Sequence, residues 1–322
     1  MARVSLVWLA AAAAVLAQPA RTPVFQRGVC FTAERGVRYG SEESKKMLRA
    51  LPAYGVNSVA LVPYGFVQRN PMQLLPAGPR SWESEDGVEA LAVLARQLGM
   101  KVMLKPHLWR LRDGELDNPQ SRSGFLSAYG GFAEHYARMA VRIRADFFSI
   151  GTELAPSTRD EAAWRAIIAR VRAIYKGPLT YSAIQGPEFE TIGFWDALDY
   201  IGLDNYYPLG DGYSAADALA RIEKVQRRFR KPVVFTEAGF SSAVGARKAP
   251  WMDETANPVS LEEQLRCYRA LLEAFYRKPW FYGVYWWKIG TNGYGGKENN
   301  SMTPWGKPAM EEVGKWYRQG SR

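Results

Sequence analysis

Residues 147–182 read FFSIGTELAPSTRDEAAWRAIIARVRAIYKGPLTYS, and this stretch holds a strand pattern, a helix pattern and a second strand pattern. An apolar run opens it, and a helical stretch near residues 159–175 follows. One side of that helix carries apolar residues at intervals of three and four, namely Trp164, Ile167, Ile168 and Val171. Gly177 and Pro178 stop the helix before the next apolar run at 179–182. This order predicts parallel strands joined by a right-handed crossover.

The same alternation continues along the whole chain. We predict eight strands, at residues 28–32, 57–63, 101–105, 147–152, 179–182, 200–204, 233–236 and 282–287. Eight helices are predicted near residues 42–54, 85–98, 124–144, 159–175, 188–197, 214–229, 261–277 and 308–318. An open doubly wound sheet usually has fewer strands and a Gly-rich first turn, which this sequence lacks. The sequence therefore predicts an α/β protein with one (β/α)8 TIM barrel over residues 28–318.

The first residues have the pattern of an export signal. Met1-Ala2-Arg3 precedes an apolar run of 14 residues, from Val4 to Ala17. Such a run is shorter than the roughly 20 residues of a membrane-spanning helix, so a stable membrane anchor is the weaker interpretation. We predict a signal peptide at 1–17, a short extension at 18–27, and a mature protein that is secreted or periplasmic.

Composition excludes several classes of function. The net charge is +10, but the densest basic stretch, Arg221 to Lys231, alternates with apolar residues at helical spacing and predicts a solvated helix face instead of a nucleic-acid site. Two histidines and two cysteines make a His/Cys metal centre improbable on counting alone, so we predict no metal and no cofactor. Cys30 and Cys267 allow one long-range disulfide, although two buried free thiols fit better. We expect a monomer.

Two glutamates end strongly apolar strand runs. Glu153 follows FFSIGT and Glu237 follows VVFT, on the predicted fourth and seventh strands. In a (β/α)8 barrel the active site lies at the carboxyl ends of the strands, so both carboxylates should lean over the same mouth. Either glutamate alone could instead cap a helix or form an ion pair. Together they predict the acid and the nucleophile or base of a glycoside hydrolase.

Aromatic residues are predicted around the same rim, where ring faces could stack on the apolar faces of sugars. His107, after the third strand, is a further candidate for contact with a sugar hydroxyl. The full set of predicted substrate-binding residues is His107, Trp109, Tyr206, Tyr207, Trp251, Trp286 and Trp287. Because Trp286 and Trp287 alternate on one strand, only one can face the mouth, and Trp287 is nearer its edge.

Several of these motifs, taken together, resemble glycoside hydrolase family 113. They are VMLKPH at 102–107, IGTEL at 150–154, FWDALDYIG at 194–202, FTEAG at 235–239 and YWWK at 285–288. The resemblance implies a clan A (β/α)8 barrel and a retaining mechanism, with Glu153 as acid/base and Glu237 as nucleophile. It also implies an endo-β-1,4-mannanase that cleaves mannan, glucomannan or mannooligosaccharides.

The sequence also departs from that pattern. Thr152 stands where much of the wider clan has Asn, and Gln185-Gly186 stands where an Asn-Trp pair is expected. Two alternatives therefore stay open: a clan A glycanase that acts on another β-glycan, and a barrel that binds carbohydrate without cleaving it. The retaining interpretation predicts that the two carboxyl groups lie about 5 to 5.5 Å apart. It also predicts a hydrogen bond between Tyr206 and Glu237.

Overall fold

The computed structural model describes residues 24–109, 111, 114–253 and 255–319. Eight of its strands form a closed barrel in which every hydrogen-bonded pair is parallel, in the order β1-β11-β10-β9-β8-β7-β5-β2. These strands are β1 (Gln26–Thr32), β2 (Ser58–Leu61), β5 (Lys101–Leu104), β7 (Phe147–Thr152), β8 (Leu179–Ile184), β9 (Ile201–Asn205), β10 (Val233–Ala238) and β11 (Phe281–Gly290). The predicted (β/α)8 barrel is confirmed. The predicted signal peptide, at 1–17, lies outside the described residues.

Helices connect the barrel strands and cover the outside of the barrel. They are α1 (Glu42–Ala50), α2 (Glu85–Gln97), α3 (Pro119–Arg142), α4 (Glu161–Ile174), α5 (Pro187–Thr191), α6 (Ala216–Phe229), α7 (Leu261–Phe275) and α8 (Pro308–Gln319). The fifth is much shorter than the predicted 188–197, because α5 ends at Thr191 and a separate 3-10 turn follows at 194–197. None of the helices within the described ranges is long and apolar enough to cross a membrane.

The core has two parts, and alternation along each strand separates them. Residues that point into the barrel form a small inner cluster of Cys30, Ala60, Val62, Met103, Phe147, Tyr200, Val234 and Tyr285. Strand residues at the alternate positions face the helices and pack with helix residues in the larger outer cluster, which includes Trp164, Trp195 and Trp286. Cys30 belongs to the inner cluster and Cys267 to the outer one, and both are free thiols. The inner cluster fills the barrel below its mouth, so polar residues above it form a floor.

A three-stranded sheet above the barrel was not predicted from the sequence. It consists of β3 (Tyr64–Gln68), β4 (Gln73–Leu75) and β6 (His107–Trp109), in the order β4-β3-β6. These strands lie in the loops that follow β2 and β5, and each has five residues or fewer. Periodicity over so short a run is a weak signal. The sheet forms one wall of the barrel mouth.

Candidate active site

Both glutamates lie at the barrel mouth, and an irregularity in strand pairing precedes each of them. In β10 the register shifts between Phe235 and Glu237, so that Glu237 lies level with Asp204 of β9. In β7 the register shifts between Ser149 and Thr152, just before Glu153. A bulge of this kind redirects the following side chain. Strict alternation would turn Glu237 toward the helices, whereas here it lies at the mouth with 4% of its surface exposed.

The carboxylates of Glu153, Asp204 and Glu237 form one cluster. One oxygen from each of the three lies within 4.8 Å of the others. The separation between these oxygens of Glu153 and Glu237 is therefore at most 4.8 Å, which fits glycosidases that form a covalent intermediate, whose carboxyl groups lie roughly 5 to 5.5 Å apart. It is shorter than the roughly 6.5 to 9.5 Å that leaves room for a water in inverting enzymes.

Lys105 supplies the positive charge of this cluster. Its side chain is fully buried, and its ammonium Nζ donates to Glu237 Oε1 and, at 3.2 Å, to Asp204 Oδ2. Asp204 Oδ1 in turn accepts a hydrogen bond of 2.6 Å from the hydroxyl of Thr236. Isolated buried charges are costly, but here each finds a partner of opposite sign or a hydrogen-bond donor. Lys105 therefore fixes one oxygen of Glu237 in place.

Tyr206 and His107 complete the surroundings of Glu237. The Tyr206 hydroxyl donates to Glu237 Oε2 at 2.7 Å, which confirms the predicted contact. His107 Nε2 lies 2.9 Å from Lys105 Nζ and 3.3 Å from Glu237 Oε1. Burial and the positive charge of Lys105 lower the pKa of His107 to about 4. At neutral pH its imidazole is uncharged, so Nε2 accepts a hydrogen bond from Lys105 Nζ in one tautomer and donates one to Glu237 Oε1 in the other.

The two glutamates differ in acidity. Burial alone would raise the pKa of Glu237, but the charge of Lys105 and the contact with His107 outweigh it and lower that pKa to about 2. At Glu153, crowding by protein atoms and the negative charge of Glu237 raise the pKa to about 8, although part of the side chain still meets solvent in the mouth. At neutral pH Glu237 is ionised and Glu153 holds a proton, as a nucleophile and a general acid require.

The two neighbouring tryptophans of β11 lie on opposite faces, as predicted. Trp287 is partly buried at the mouth and stacks on the His107 ring, with centroids 5.7 Å apart and planes 14° apart. Trp286 is 1% exposed and stacks on Tyr268 of α7, with centroids 4.1 Å apart. Trp286 thus packs between barrel and helices, so its inclusion among the substrate-binding residues was wrong.

Tyr207 is buried in the loop that follows β9. It is 7% exposed, and its hydroxyl accepts from the Gly186 backbone N–H at 2.9 Å and donates to Glu190 of α5 at 2.9 Å. These contacts hold the loop after β8 against the loop after β9. These contacts give Tyr207 a structural role, and its contact with substrate stays a prediction.

The remaining two predicted aromatics are exposed. Trp109, on β6, is 54% exposed and packs edge-on against Tyr64, with ring centroids 5.6 Å apart. It lines a cavity of about 720 Å³ beside the mouth. Trp251, 53% exposed, lies in the loop between β10 and α7 and is not among the residues that line this cavity. A second cavity, of about 310 Å³, is lined by Glu153 and His107.

Sequence reasoning missed Lys105 and Asp204 as parts of the site. Lys105 ends the predicted third strand and Asp204 ends the sixth, so both have the strand-end position that singled out the glutamates. The buried Lys105 side chain forms its ion pair with Glu237 itself. The sequence signal that could have identified them is a charged residue at the end of a predicted strand.

At the mouth of this (β/α)8 barrel, a protonated glutamate faces an ionised one, and aromatic residues lie beside them. This arrangement defines a glycoside hydrolase. The sequence model of Glycoside Hydrolase Family 113 matches residues 29–306. The chain therefore belongs to glycoside hydrolase family 113, as its motifs indicated.

Solved structures of the same family resemble this chain over nearly its whole length. The GH113 beta-mannanase AaManA from Alicyclobacillus acidocaldarius, in complex with ManMIm, is 31% identical, with a TM-score of 0.82, over 92% of this chain and 98% of that one. A GH113 beta-1,4-mannanase is 26% identical with the same TM-score, over 92% and 100%. A beta-glucuronidase from Faecalibacterium prausnitzii, 15% identical with a TM-score of 0.64 over 93% and 49%, shares the fold. No curated protein sequence matches the chain.

Proposed function

We propose that this protein is a retaining endo-β-1,4-mannanase that cleaves mannan, glucomannan or mannooligosaccharides by double displacement. One observation carries the mechanism: a carboxyl with a raised pKa lies within 4.8 Å of a carboxylate with a lowered pKa. Membership of family 113, and the solved relatives described as β-mannanases, support mannan as the polymer.

The first displacement forms a bond to the protein. Glu237 attacks the anomeric carbon through a carboxylate oxygen, while Glu153 donates its proton to the glycosidic oxygen. The bond between the anomeric carbon and that oxygen breaks, and the leaving sugar departs with a new hydroxyl group. A glycosyl ester on Glu237 and an ionised Glu153 remain.

The second displacement releases the sugar. With Glu237 esterified, its negative charge is gone, and Glu153 has become ionised and can accept a proton from water. The resulting hydroxide attacks the anomeric carbon and Glu237 leaves as a carboxylate. Two inversions give net retention. Lys105 and Tyr206 hold one oxygen each of Glu237, so they position the nucleophile and stabilise its charge when it leaves.

Digestion of a polysaccharide panel tests the substrate. Mannan, glucomannan, xylan, galactan and β-glucan are each incubated with the enzyme, and the products are separated by chromatography. We expect mannooligosaccharides from the first two polymers. Proton NMR of the earliest products should show the β anomer. The variant Glu237→Gln, prepared in parallel, should release nothing and controls for contaminating hydrolases. Release of oligosaccharides from β-glucan or galactan alone would keep the mechanism but assign another polymer as the substrate. Binding to a polymer without release of products would support a carbohydrate-binding barrel.

Export is part of the proposal. The apolar run from Val4 to Ala17, with small residues before Gln18, supports cleavage ahead of Gln18. Amino-terminal sequencing of the protein recovered from the periplasm or culture fluid should begin at Gln18. A protein that keeps Met1 and stays in the cytoplasm would contradict the export proposal.

A further inference from the structure

The backbone that carries Glu153 has an unusual conformation. Its φ is 51°, in the left-handed region that residues other than glycine seldom adopt. Such a conformation costs free energy, so neighbouring contacts must hold it. Two backbone donors at this point meet acceptors on β8. The Glu153 N–H donates to the Ser182 carbonyl oxygen at 2.9 Å, and the Leu154 N–H donates to the Tyr181 hydroxyl at 2.7 Å. The second acceptor is a side chain, so a single substitution removes it.

The Tyr181 ring is fully buried and closely packed on several sides. A Cβ atom placed on Gly151 of β7 would lie 2.7 Å from this ring, so the ring lies directly against the strand that leads to Glu153. Trp164 and Phe194 pack edge-on against it, with centroids 5.1 and 5.9 Å away. Because the ring has no room to move, its hydroxyl is held at one position.

Glu188 of α5 orients that hydroxyl. The Tyr181 hydroxyl donates to Glu188 Oε1 at 2.6 Å, and Glu188 Oε2 accepts from the Ile184 N–H at 2.8 Å. A hydroxyl has one proton, so donation to Glu188 leaves its lone pairs free for the Leu154 N–H. A chain of hydrogen bonds therefore runs from Glu188 through Tyr181 to the residue next to Glu153.

The Glu188 carboxyl is buried without a cation. It is 6% exposed, and among the residues that the structure describes it forms no ion pair. Burial raises its pKa to about 7, with a further contribution from Asp204, against the hydrogen bonds from Tyr181 and Ile184. A carboxyl in such a place is costly to bury, and fold stability alone does not account for it.

Glu188 also acts on Glu153 through its charge. Burial, Glu237 of β10 and Glu188 all raise the pKa of Glu153, which is about 8, whereas Lys105 lowers it. Asp204 of β9 lies in the same carboxylate cluster as Glu153 and Glu237. Glu188 is not among the described residues that line the cavity beside Glu153. Its negative charge therefore favours the protonated form of Glu153 from outside the substrate cavity.

We propose that Tyr181 and Glu188 are positioning residues for Glu153: the Tyr181 hydroxyl fixes the backbone that carries the general acid, and Glu188 holds that hydroxyl and adds negative charge near the Glu153 carboxyl. This inference rests on the proposed glycanase function, because it takes Glu153 as the general acid. Both residues act through Glu153 and not by contact with the substrate. Accurate placement matters, since a displacement of about 1 Å can lower a rate roughly 100-fold.

Substrates with different leaving groups test the positioning role. Two aryl β-mannotriosides are compared, one that releases dinitrophenol and one that releases phenol. Dinitrophenol departs with little protonation, whereas phenol needs the proton of Glu153. Tyr181→Phe should lower kcat/KM for the phenyl trioside by about tenfold or more and keep the dinitrophenyl value within about twofold. A general loosening of the fold would lower both values equally, so the ratio reports on the general acid.

Glu188→Gln tests the other half of the pair. One amide cannot accept from both the Tyr181 hydroxyl and the Ile184 N–H, so the phenyl-to-dinitrophenyl ratio should fall. Protonated Glu153 is the reactive form, so activity is lost as the pH rises through its pKa. Without the charge of Glu188 this alkaline limb should move to lower pH by about one unit. In the double variant the ratio should equal that of Tyr181→Phe, because both substitutions break the same chain of hydrogen bonds.

Tyr175→Phe is the matched control. Tyr175 is also buried, and its hydroxyl donates to the Ala145 carbonyl oxygen at 2.8 Å, before β7 begins and away from the mouth. This variant should keep the wild-type ratio and pH profile. A wild-type ratio in Tyr181→Phe, equal losses on both substrates, or an unshifted alkaline limb in Glu188→Gln would overturn the proposal.

Failure of the glycanase proposal gives a different result. If the wild type cleaves neither trioside, nor the matching derivatives of the other sugars in the polysaccharide panel, the glycanase function is wrong. Carbon-13 NMR of protein labelled at its glutamate carboxyls then decides the pair, with the Glu153 signal assigned from its absence in Glu153→Gln. A lower Glu153 pKa in Glu188→Gln, together with faster hydrogen exchange of the Leu154 N–H in Tyr181→Phe, would support the pair. Absence of either change would overturn it.

Discussion

Replacement of Lys105 by Met should move the acidic limb of the pH–activity profile upward. Lys105 is the charge that keeps Glu237 ionised in a buried site, against burial and two nearby carboxyl groups. Removing one partner of a buried ion pair costs about 3 to 5 kcal/mol, which corresponds to roughly 2 to 4 pKa units at 1.36 kcal/mol each. The pKa of Glu237 should therefore rise from about 2 to roughly 4 to 6.

The sign of the effect follows from which form reacts. Only ionised Glu237 attacks the anomeric carbon, so activity is lost as the pH falls through its pKa. In the wild type this loss should occur near pH 2, whereas in Lys105→Met it should occur between roughly pH 4 and 6. The assay is kcat/KM of an aryl glycoside across pH, with circular dichroism to confirm folding at each point.

A matched variant separates this effect from the general loss of a lysine. Lys101 is the first residue of β5, whereas Lys105 directly follows the last one. The Lys101 ammonium pairs with Asp146 at 2.9 Å on the surface. Lys101→Met should keep the wild-type profile. A folded Lys105→Met enzyme with an unshifted acidic limb and wild-type kcat would refute the assignment of Lys105 as the charge partner of the nucleophile.

Three further predictions concern single residues. In Glu153→Ala, an aryl glycoside with a good leaving group should still glycosylate the enzyme, and azide should restore turnover with retained configuration. In Glu237→Ala, azide should give the inverted glycosyl azide. If the two variants gave these products the other way round, the two catalytic roles would be exchanged. Tyr206→Phe should lower kcat by about tenfold or more, because one charged hydrogen bond to the nucleophile is worth about 1.5 to 3 kcal/mol, and an unchanged kcat would contradict this. Trp287→Ala should impair turnover far more than melting temperature, whereas Trp286→Ala should mainly lower the melting temperature by opening a cavity in the outer core.

The barrel could be predicted because each unit repeats two strong signals. An apolar strand run and a helix with one apolar face recur through the chain, and the observed bounds of β7 match the predicted 147–152. Local hydrogen bonding follows less directly from the sequence. Ser260 with Glu263 and Thr158 with Glu161 both have the S/T-x-x-E spacing of a capping box. Ser260 accepts from the backbone N–H of Glu263, whereas Thr158 caps no helix, because a 3-10 turn occupies 157–159 and α4 starts at Glu161. Both sequences fit the same motif, and tertiary context decides between them.

The polar network of the site could be predicted only in part. The position of Glu237 at a strand end was visible, whereas the bulge that turns it inward is a property of the pairing between β9 and β10. Lys105 contacts two carboxylates, Asp204 and Glu237, which lie 99 and 132 residues further along the chain. No local pattern records contacts at that separation. The side of β11 that Trp286 faces could be inferred from alternation, and applying that rule strictly would have left Trp286 out of the site.

Trapping the covalent intermediate tests the central claim most directly. A 2-deoxy-2-fluoro mannosyl fluoride, or the equivalent derivative of the sugar identified in the polysaccharide panel, slows both displacements but the second one more, so the glycosyl-enzyme accumulates. Mass spectrometry of the intact protein and of its proteolytic peptides then locates the ester. The account predicts one added glycosyl group, on the peptide that contains Glu237, and none in Glu237→Gln. A label on Glu153, or stoichiometric turnover with no covalent species and an inverted product, would contradict it.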